Sequence, residues 1–227
     1  MMKNYKIIAV IPAYNEEKSI SSVLRDVKKQ VDEIILVDDG SGDKTSEMAE
    51  KEGACVLKHL INRGQGASLR TGTEYALKRG AEIIIHFDAD GQHQIEDIPK
   101  LIKPILKDGM DVVLGSRFLS PKSNTPWLRK IVLKMGIFFN YLISGIKLND
   151  AHNGLRALSK KAAKLIDIRQ DRMSHNSEIV QKIAQYNLSY QEVPVTIFYS
   201  SYSRNKGQSS LNAFKIVWEL LWARISR

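Results

Sequence analysis

Alternating apolar and polar segments in the first half of the chain predict a regular succession of strands and helices. Short β-branched runs predict strands at residues 7–11, 33–37, 54–58, 82–87 and 111–114. Segments with apolar positions three or four residues apart predict helices between them, at residues 19–30, 44–52, 65–78 and 96–107. This alternation is typical of βαβ units. We therefore predict an α/β fold with a mainly parallel sheet flanked by helices.

After Gly115 the alternation gives way to a less regular pattern. A long amphipathic pattern at residues 127–146 predicts a helix, residues 190–198 resemble a strand, and a last helix at 211–225 follows a polar stretch. The 227 residues contain no internal repeat and no low-complexity linker. We therefore predict a single domain over residues 1–227, with the site-bearing half at 1–117 and a second half with amphipathic helices at 118–227.

The composition excludes several classes of protein. Hydrophobic residues make up 43% and charged residues 26% of the chain, which excludes a disordered, a collagen-like or a polytopic membrane protein. The single cysteine, Cys55, excludes a disulfide-rich secreted scaffold and favours a cytosolic setting. The apolar stretch at 131–146 is 16 residues long and contains Lys134, so we predict no transmembrane helix.

The formal net charge of +9 indicates an anionic partner, such as nucleic acid, anionic lipid or a phosphorylated small molecule. A basic surface that serves only solubility explains the charge as well. Basic and aromatic residues share the helices predicted at 127–146 and 211–225. That combination suits a membrane interface and, equally, a helix with an apolar core face and a solvated basic face.

Four polar clusters directly follow predicted strands, at residues 12–16, 38–43, 88–93 and 115–117. Ligands bind at the carboxyl ends of the strands in open parallel sheets, so these clusters predict the site. Asp88 and Asp90 are two residues apart and can reach one ion, and Gln92 adds a neutral oxygen. Such oxygen ligands suit Mg²⁺ or Mn²⁺. The alternative, a solvated turn, is weaker because a second acidic cluster ends the strand at 33–37.

Further polar residues have two interpretations each. Asp39 follows a strand, where an acidic side chain accepts hydrogen bonds from a ribose or a base, although this segment also suits helix capping. The glycine-rich segment 62–67 lacks the third glycine of a dinucleotide-binding motif, so it is either a close nucleotide contact or only a turn. Arg117 and Arg204 are the strongest candidates for phosphate contacts. His152 and His175 have no partners at ligand spacing and are interpreted as structural.

Motifs along almost the whole chain resemble those of glycosyltransferase family 2, which has the GT-A fold. The segments VIPAYNEE, VDDGSGD, FDADGQH and GSR occur in the family's order. DAHNGLRALS, EVPVTI and RNKGQSSL resemble later motifs of the polyprenyl-phosphate glycosyltransferases, the branch similar to dolichol-phosphate mannose synthase. The resemblance implies one GT-A domain, with a Rossmann-like nucleotide-sugar-binding half at 1–117 and an acceptor-side half at 118–227.

The resemblance also implies roles for individual residues. Those around the nucleotide sugar would be Pro12, Tyr14, Glu16, Val37, Asp39, Asp88, Ala89 and Asp90. Asp88, Asp90 and Gln92 would hold the Mg²⁺ or Mn²⁺ ion, and Arg117, Arg129 and Arg204 would contact the donor or acceptor phosphates. Asp90 and Arg117 are the implied catalytic residues. Ser210 stands where the family usually has lysine, which weakens one expected phosphate contact.

The implied reaction is the inverting, metal-dependent transfer of a sugar from a GDP- or UDP-sugar to a polyprenyl phosphate, dolichyl or undecaprenyl. A phosphate monoester is already ionised near neutral pH and needs no general base, whereas a hydroxyl acceptor needs one, for which Asp150 is the candidate. We expect no hydrophobic C-terminal membrane domain of the kind that some members have. We therefore expect a cytoplasmic enzyme in peripheral contact with the cytoplasmic face of the membrane, directly or through a small membrane protein.

Two other functions remain open. An enzyme of the same fold could glycosylate a sugar hydroxyl in cell-surface polysaccharide synthesis. A non-enzymatic basic binding protein would explain the net charge, but the sequence has no recognised nucleic-acid-binding motif, and clustered carboxylates repel phosphates in the absence of metal. We therefore expect no nucleic-acid partner.

Overall fold

The structure, a computed structural model, describes residues 5–121, 125 and 127–198. The helix predicted at 211–225, the polar stretch before it and part of the loop at 121–126 lie outside these ranges. The structure does not test the predicted domain limits or the division at residue 117, and both stay predictions.

Seven strands form one sheet. They are β1 (Ile7–Ala13), β2 (Glu33–Asp38), β3 (Cys55–Lys58), β4 (Ile83–His86), β5 (Val112–Ser116), β6 (Arg156–Ser159) and β7 (Tyr190–Pro194). Their order in the sheet is β3-β2-β1-β4-β6-β5-β7. β6 is antiparallel to both of its neighbours, and the other pairs are parallel. The predicted α/β class with a mainly parallel sheet is confirmed.

Helices cover both faces of the sheet. They are α1 (Ile20–Val27), α2 (Thr45–Lys51), α3 (Gln65–Lys78), α4 (Ile98–Asp108), α5 (Trp127–Ser144), α6 (Lys160–Leu165) and α7 (His175–Gln185), with a 3-10 turn at Ile95–Asp97. Helices α1, α2 and α4 contribute to the core on one face. Helices α3, α6 and α7 contribute to the core on the other face, and α5 contacts α7.

Strand β1 shows why the central strands are apolar throughout. Ala9 and Ile11 belong to one core, whereas Ile8 and Val10 belong to the other, and all four side chains are fully buried. Successive residues of a strand point to opposite faces, so a sheet covered on both sides needs a continuous apolar run.

The sequence pattern does not single out β6, α6 or α7. β6 has four residues and α6 has six, too few positions for a reliable period. The strand predicted at 190–198 is longer than observed, because β7 ends at Pro194, although Val195 N still donates to Ser116 O over 3.2 Å. Beyond it, the described pairing is an isolated bridge between His93 and Ile197.

Helix α5 has 18 residues and two unlike faces. Asn140 is buried, and its Nδ2 donates to Gly136 O over 3.0 Å. Phe138 and Leu142, in contrast, are 63% and 60% exposed. Within the described residues, no helix combines the length and the apolar character needed to cross a membrane.

Candidate active site

A cleft of about 400 Å³ opens at the carboxyl ends of the strands. Its wall is built by the loops after β1, β2, β3, β4 and β5, by the segment before β6 and by the first residues of α3 and α7. Predicted site residues that line it are Pro12, Tyr14, Glu16, Asp39, Asp88, Ala89, Asp90, Gln92 and Arg117. The parallel topology therefore gathers side chains that are far apart in the sequence.

Hydrogen bonds join the loop after β1 to the loop after β2. Asn15 N donates to Ser41 Oγ, and Gly42 N donates to Asn15 Oδ1, both over 2.9 Å. Glu16 N donates to Thr45 Oγ1 over 2.8 Å. Asn15 has a φ of 52°, a conformation that asparagine tolerates better than most residues. These bonds fix the position of Glu16 at the cleft.

Asp39 is a buried carboxylate held by the glycine-rich segment. Its oxygens accept hydrogen bonds from Arg63 N over 3.0 Å, from Gly64 N over 2.6 Å and from His59 Nδ1 over 2.7 Å. A Cβ at Gly64 would lie 2.5 Å from Asp171 O, and φ there is +109°, so this position requires glycine. The segment 62–67 is therefore more than a turn, since it both holds Asp39 and lines the cleft.

Asp88 is fixed from three sides. Its oxygens accept hydrogen bonds from Gln65 Nε2 over 2.8 Å and from His93 Nε2 over 3.0 Å. A Cβ on Gly154 would lie only 2.1 Å from Asp88 Oδ2, so the backbone at 154 passes directly against the carboxylate. Burial by itself would raise the pKa of Asp88, but the hydrogen bond and charge of His93, followed by the charge of Arg156, lower that pKa overall.

Asp90 lies beside this carboxylate in a less favourable environment. Burial, followed by the negative charge of Asp88, raises the pKa of Asp90 to about 6. Asp90 accepts hydrogen bonds from Gln92 N over 3.0 Å and from Gln92 Nε2 over 2.6 Å. In this arrangement Gln92 donates to Asp90 and does not present its oxygen as a metal ligand.

The two carboxylates fit a divalent cation that is shared with a ligand. No group of three or more His, Cys, Asp or Glu side chains suited to a metal ion occurs in the described ranges. Mg²⁺ commonly uses one or two protein carboxylates and completes its shell with water and phosphate oxygens. A cation would also relieve the repulsion that raises the pKa of Asp90.

Arg117 lines the cleft, and its guanidinium donates hydrogen bonds to two neighbouring residues of the protein. Its Nε donates to Asp150 Oδ2 over 2.6 Å, and its Nη2 donates to His152 O over 2.9 Å. The Asp150 side chain is fully buried by these contacts and does not line the cleft. The structure therefore does not place Asp150 where a general base would meet a hydroxyl acceptor.

One predicted site residue, Val37, does not line the cleft, and two others cannot be placed from the described residues. Val37 is fully buried in the core, where its Cγ2 would lie 3.1 Å from a Cβ on Gly72 of α3. The strand ends one residue later, so Val37 still packs inside the sheet layer. The side chain of Arg129 and all of Arg204 lie outside the described residues.

The cleft lining also contains residues outside every segment that sequence reasoning associated with the site. They are Ser68, His152, Gly154, Met173, Asn176 and Ile197, whereas Gln65 and His93 lie inside such segments without having been singled out. His152, interpreted from the sequence as structural, lines the cleft, whereas His175 is fully buried. His93 and Gly154 belong to motifs that the sequence displays, but Asn176, in the first turn of α7, has no signal there.

Residues 8–166 match the family described as glycosyl transferase family 2. The UDP-N-acetylglucosamine–dolichyl-phosphate N-acetylglucosaminyltransferase of Methanococcus voltae is 36% identical over 249 residues, covering 100% of this chain and 99% of its own. The undecaprenyl-phosphate mannosyltransferase of Micrococcus luteus is 26% identical over 234 residues, covering 98% of this chain and 96% of its own.

Among solved structures, the fold is similar to that of a glucosyl-3-phosphoglycerate synthase from Mycobacterium tuberculosis. That protein was crystallised with Mn²⁺, uridine diphosphate and glucosyl-3-phosphoglycerate. The TM-score is 0.69 at 19% identity, over 87% of this chain and 72% of the other. At this identity the likeness shows the fold alone. The family match spans most of the chain, so the chain belongs to glycosyl transferase family 2 and is a glycosyltransferase.

Proposed function

We propose that this enzyme transfers a sugar from a nucleotide sugar to a polyprenyl phosphate, with inversion and with a divalent cation. The observation that carries the proposal is the carboxylate pair Asp88 and Asp90, which shares one cleft with Arg117. The relatives in Methanococcus voltae and Micrococcus luteus are named for different sugars, but both are named for a polyprenyl-phosphate acceptor. The acceptor class is therefore the feature that these relatives support best.

The nucleotide would occupy the part of the cleft above β1 and β2. Pro12, Tyr14 and Glu16 line this part, with Asp39 beside them as the acceptor of hydrogen bonds from the base or ribose. Val37 would act from below, by supporting the floor of this pocket. The diphosphate would lie next to Asp88, Ala89 and Asp90, since β4 adjoins β1.

Asp88 and Asp90 would hold the cation, Mg²⁺ or Mn²⁺, and Gln92 would orient Asp90 or, after rotation of its amide, add a ligand. When bound, the cation supplies positive charge that stabilises the nucleoside diphosphate leaving group. Gln65 and His93 would keep the Asp88 carboxylate in one orientation toward the cation through their hydrogen bonds.

A phosphate oxygen of the acceptor would attack the anomeric carbon directly, and the bond to the nucleoside diphosphate would break on the opposite side. The nucleophile is already ionised, so no proton has to be removed. Arg117 would attract the acceptor phosphate through its charge, which Asp150 holds in place at 2.6 Å. Arg129 and Arg204 are proposed as further phosphate contacts.

The exposed stripe of α5, defined by Ile131, Met135, Phe138 and Leu142, would rest on the cytoplasmic face of the membrane. These side chains are 50–63% exposed, and Lys130 and Lys134 on the same helix are also exposed. Apolar and basic side chains on one helix suit the interface of an anionic membrane. A small membrane protein would share this contact if the enzyme bound native membranes more tightly than vesicles of pure lipid.

The decisive experiment is a transfer assay with GDP- and UDP-sugars, Mg²⁺ or Mn²⁺, and undecaprenyl or dolichyl phosphate. We expect a lipid-linked sugar that requires metal and that decreases about a thousandfold in Asp90→Asn, since charge stabilisation of the leaving group is lost. Metal-dependent release of nucleoside diphosphate without a lipid product would contradict the polyprenyl-phosphate acceptor and keep the glycosyltransferase.

His152 favours one alternative, transfer to a sugar hydroxyl. It lines the cleft, and burial lowers its pKa and so favours its neutral form. For a hydroxyl acceptor, His152→Asn would reduce turnover by roughly a hundredfold or more. For the proposed phosphate acceptor, we expect a change of less than about tenfold, because no general base is required.

A further inference from the structure

Asn176 lies at the end of the cleft above β6, where its side chain is held in place by the protein. It is the second residue of α7, is only 4% exposed, and lines the cleft together with Gly154 and Met173. It is therefore a buried polar side chain at a surface that a ligand would cover.

The orientation of the Asn176 amide is set by a buried arginine. Arg156 is 2% exposed, and its Nη2 donates to both Asn153 O, over 3.1 Å, and Asn176 Oδ1. Its Nε donates to Gly154 O over 3.3 Å. A guanidinium only donates, so the amide oxygen of Asn176 has to face Arg156. Burial lowers the pKa of Arg156 to about 10, which leaves it cationic at neutral pH.

The Nδ2 group of Asn176 is then left for another partner. Within the described residues, the hydrogen bond from Arg156 to the amide oxygen is the one that the Asn176 side chain makes, and Nδ2 donates none. The oxygen of the same amide is occupied by Arg156, so the side chain offers the cleft a donor. Phosphates favour cationic partners, so a neutral donor is better suited to a hydroxyl or carbonyl oxygen.

The order of the strands places this donor at the sugar end of a bound nucleotide sugar. The order β2, β1, β4, β6 runs from Asp39 through Asp88 to Gly154. On the proposed function, the base and diphosphate take the first two parts, so the sugar lies over β6. We propose that Asn176 is a sugar-selecting residue that donates a hydrogen bond from Nδ2 to an oxygen of the transferred sugar, with Arg156 as the positioning residue behind it.

The sharpest test uses Asn176→Asp, which has nearly the same shape. Aspartate keeps an oxygen toward Arg156 and replaces the donor by an acceptor. The added negative charge also changes the affinity for UDP, which carries no sugar. The quantity to compare is therefore the ratio of the affinity for UDP-N-acetylglucosamine to the affinity for UDP. Calorimetry with Mn²⁺ and without acceptor measures both affinities. We expect this ratio to fall by about tenfold or more, because a site built to donate to a sugar oxygen loses that bond.

Two further variants separate this role from a structural one. Asn176→Ala carries no new charge and should lower the same ratio while UDP affinity changes by less than about threefold. Ser177→Ala alters the next buried residue of α7, which does not line the cleft, and should leave the ratio unchanged.

The outcomes distinguish this inference from the proposed function. An equal decrease in the affinities for UDP and UDP-N-acetylglucosamine in Asn176→Ala would overturn the role of Asn176 and leave the proposed function standing. If the wild-type protein bound none of a panel of UDP- and GDP-sugars, the proposed function would fall, and this inference with it.

Discussion

Gly154 shows how strongly a single residue determines the geometry of this site. Its Cα lies against the Asp88 carboxylate, and its carbonyl accepts a hydrogen bond from Arg156. No other residue type leaves room for the carboxylate, since any Cβ would overlap Asp88 Oδ2. One glycine thus links Asp88, the proposed cation ligand, to the buried arginine.

We predict that Gly154→Ala reduces turnover by roughly a hundredfold, because displacing a catalytic group by about 1 Å costs that much. Moving the carboxylate aside would also strain its hydrogen bonds with Gln65 and His93, so we expect a loss of about 1–3 kcal/mol in the free energy of unfolding. The measurements are transfer kinetics and thermal unfolding. Gly42→Ala is the matched control, because a Cβ there has no neighbour within 4 Å. Similar kinetics for both variants would contradict the role of Gly154.

Two buried histidines next to Arg156 predict a pH dependence of stability. Burial, followed by the charge of Arg156, lowers the pKa of His175 to about 4, and that of His86 well below its usual value. The unfolded chain binds protons near pH 6.5, whereas the folded protein keeps both rings neutral. Stability is therefore complete above pH 6.5 and decreases as the pH falls toward 4.

For His175 alone, the decrease between pH 7.5 and pH 5 should be about 2 kcal/mol. His175→Asn removes the titration but keeps a donor, Nδ2, in place of the Nδ1 that bonds to Arg172 O over 2.8 Å. The variant should therefore lose about 2 kcal/mol less than the wild type over this range, as measured by urea unfolding. An unchanged pH slope would show that His175 does not resist protonation.

At the scale of elements, the loops after β1 and β2 form one unit through Thr45. Its hydroxyl accepts from Glu16 N over 2.8 Å and donates to Asp43 Oδ1 over 2.5 Å, and the residue is fully buried. The first residues of α2 thereby hold the loop that precedes α1. Two βα units at the proposed nucleotide pocket are therefore joined by this hydroxyl.

Thr45→Val keeps the shape but removes the hydroxyl that accepts the hydrogen bond from Glu16 N. We expect a loss of about 1–3 kcal/mol in the free energy of unfolding, and weaker nucleotide binding, since a buried hydrogen bond is lost. Thr45→Ser keeps the hydroxyl and should bind nucleotide like the wild type. Urea unfolding and calorimetry with UDP measure the two effects, and equal behaviour of the two variants would refute this role.

The α5 stripe carries a prediction on membrane contact. Replacing Phe138 and Leu142 by serine should weaken binding to vesicles of anionic phospholipid by about tenfold or more per side chain, because each buries apolar area in the interface. Leu106→Ser on α4, 40% exposed, is the control and should have no effect. Cosedimentation measures the binding, and equal binding of all variants would exclude this face as the contact.

At the scale of the whole molecule, the antiparallel strand β6 completes the site. It lies between β4 and β5, so the segment before it returns to the same sheet edge as the loops that follow the parallel strands. That segment carries His152 and Gly154 into the cleft. A purely parallel sheet would have placed them at the opposite edge.

The sequence by itself determined the α/β class, most strands and helices of the first half, and the family, because long apolar periods and ordered motifs are local properties of the chain. It also indicated which clusters form the cleft, since every parallel strand ends at the same edge. The burial of Asp150 against Arg117, the donor role of Gln92 and the amide orientation of Asn176 were decided only by the tertiary structure. Each depends on partners from other elements, and contact between distant segments leaves no period in the sequence.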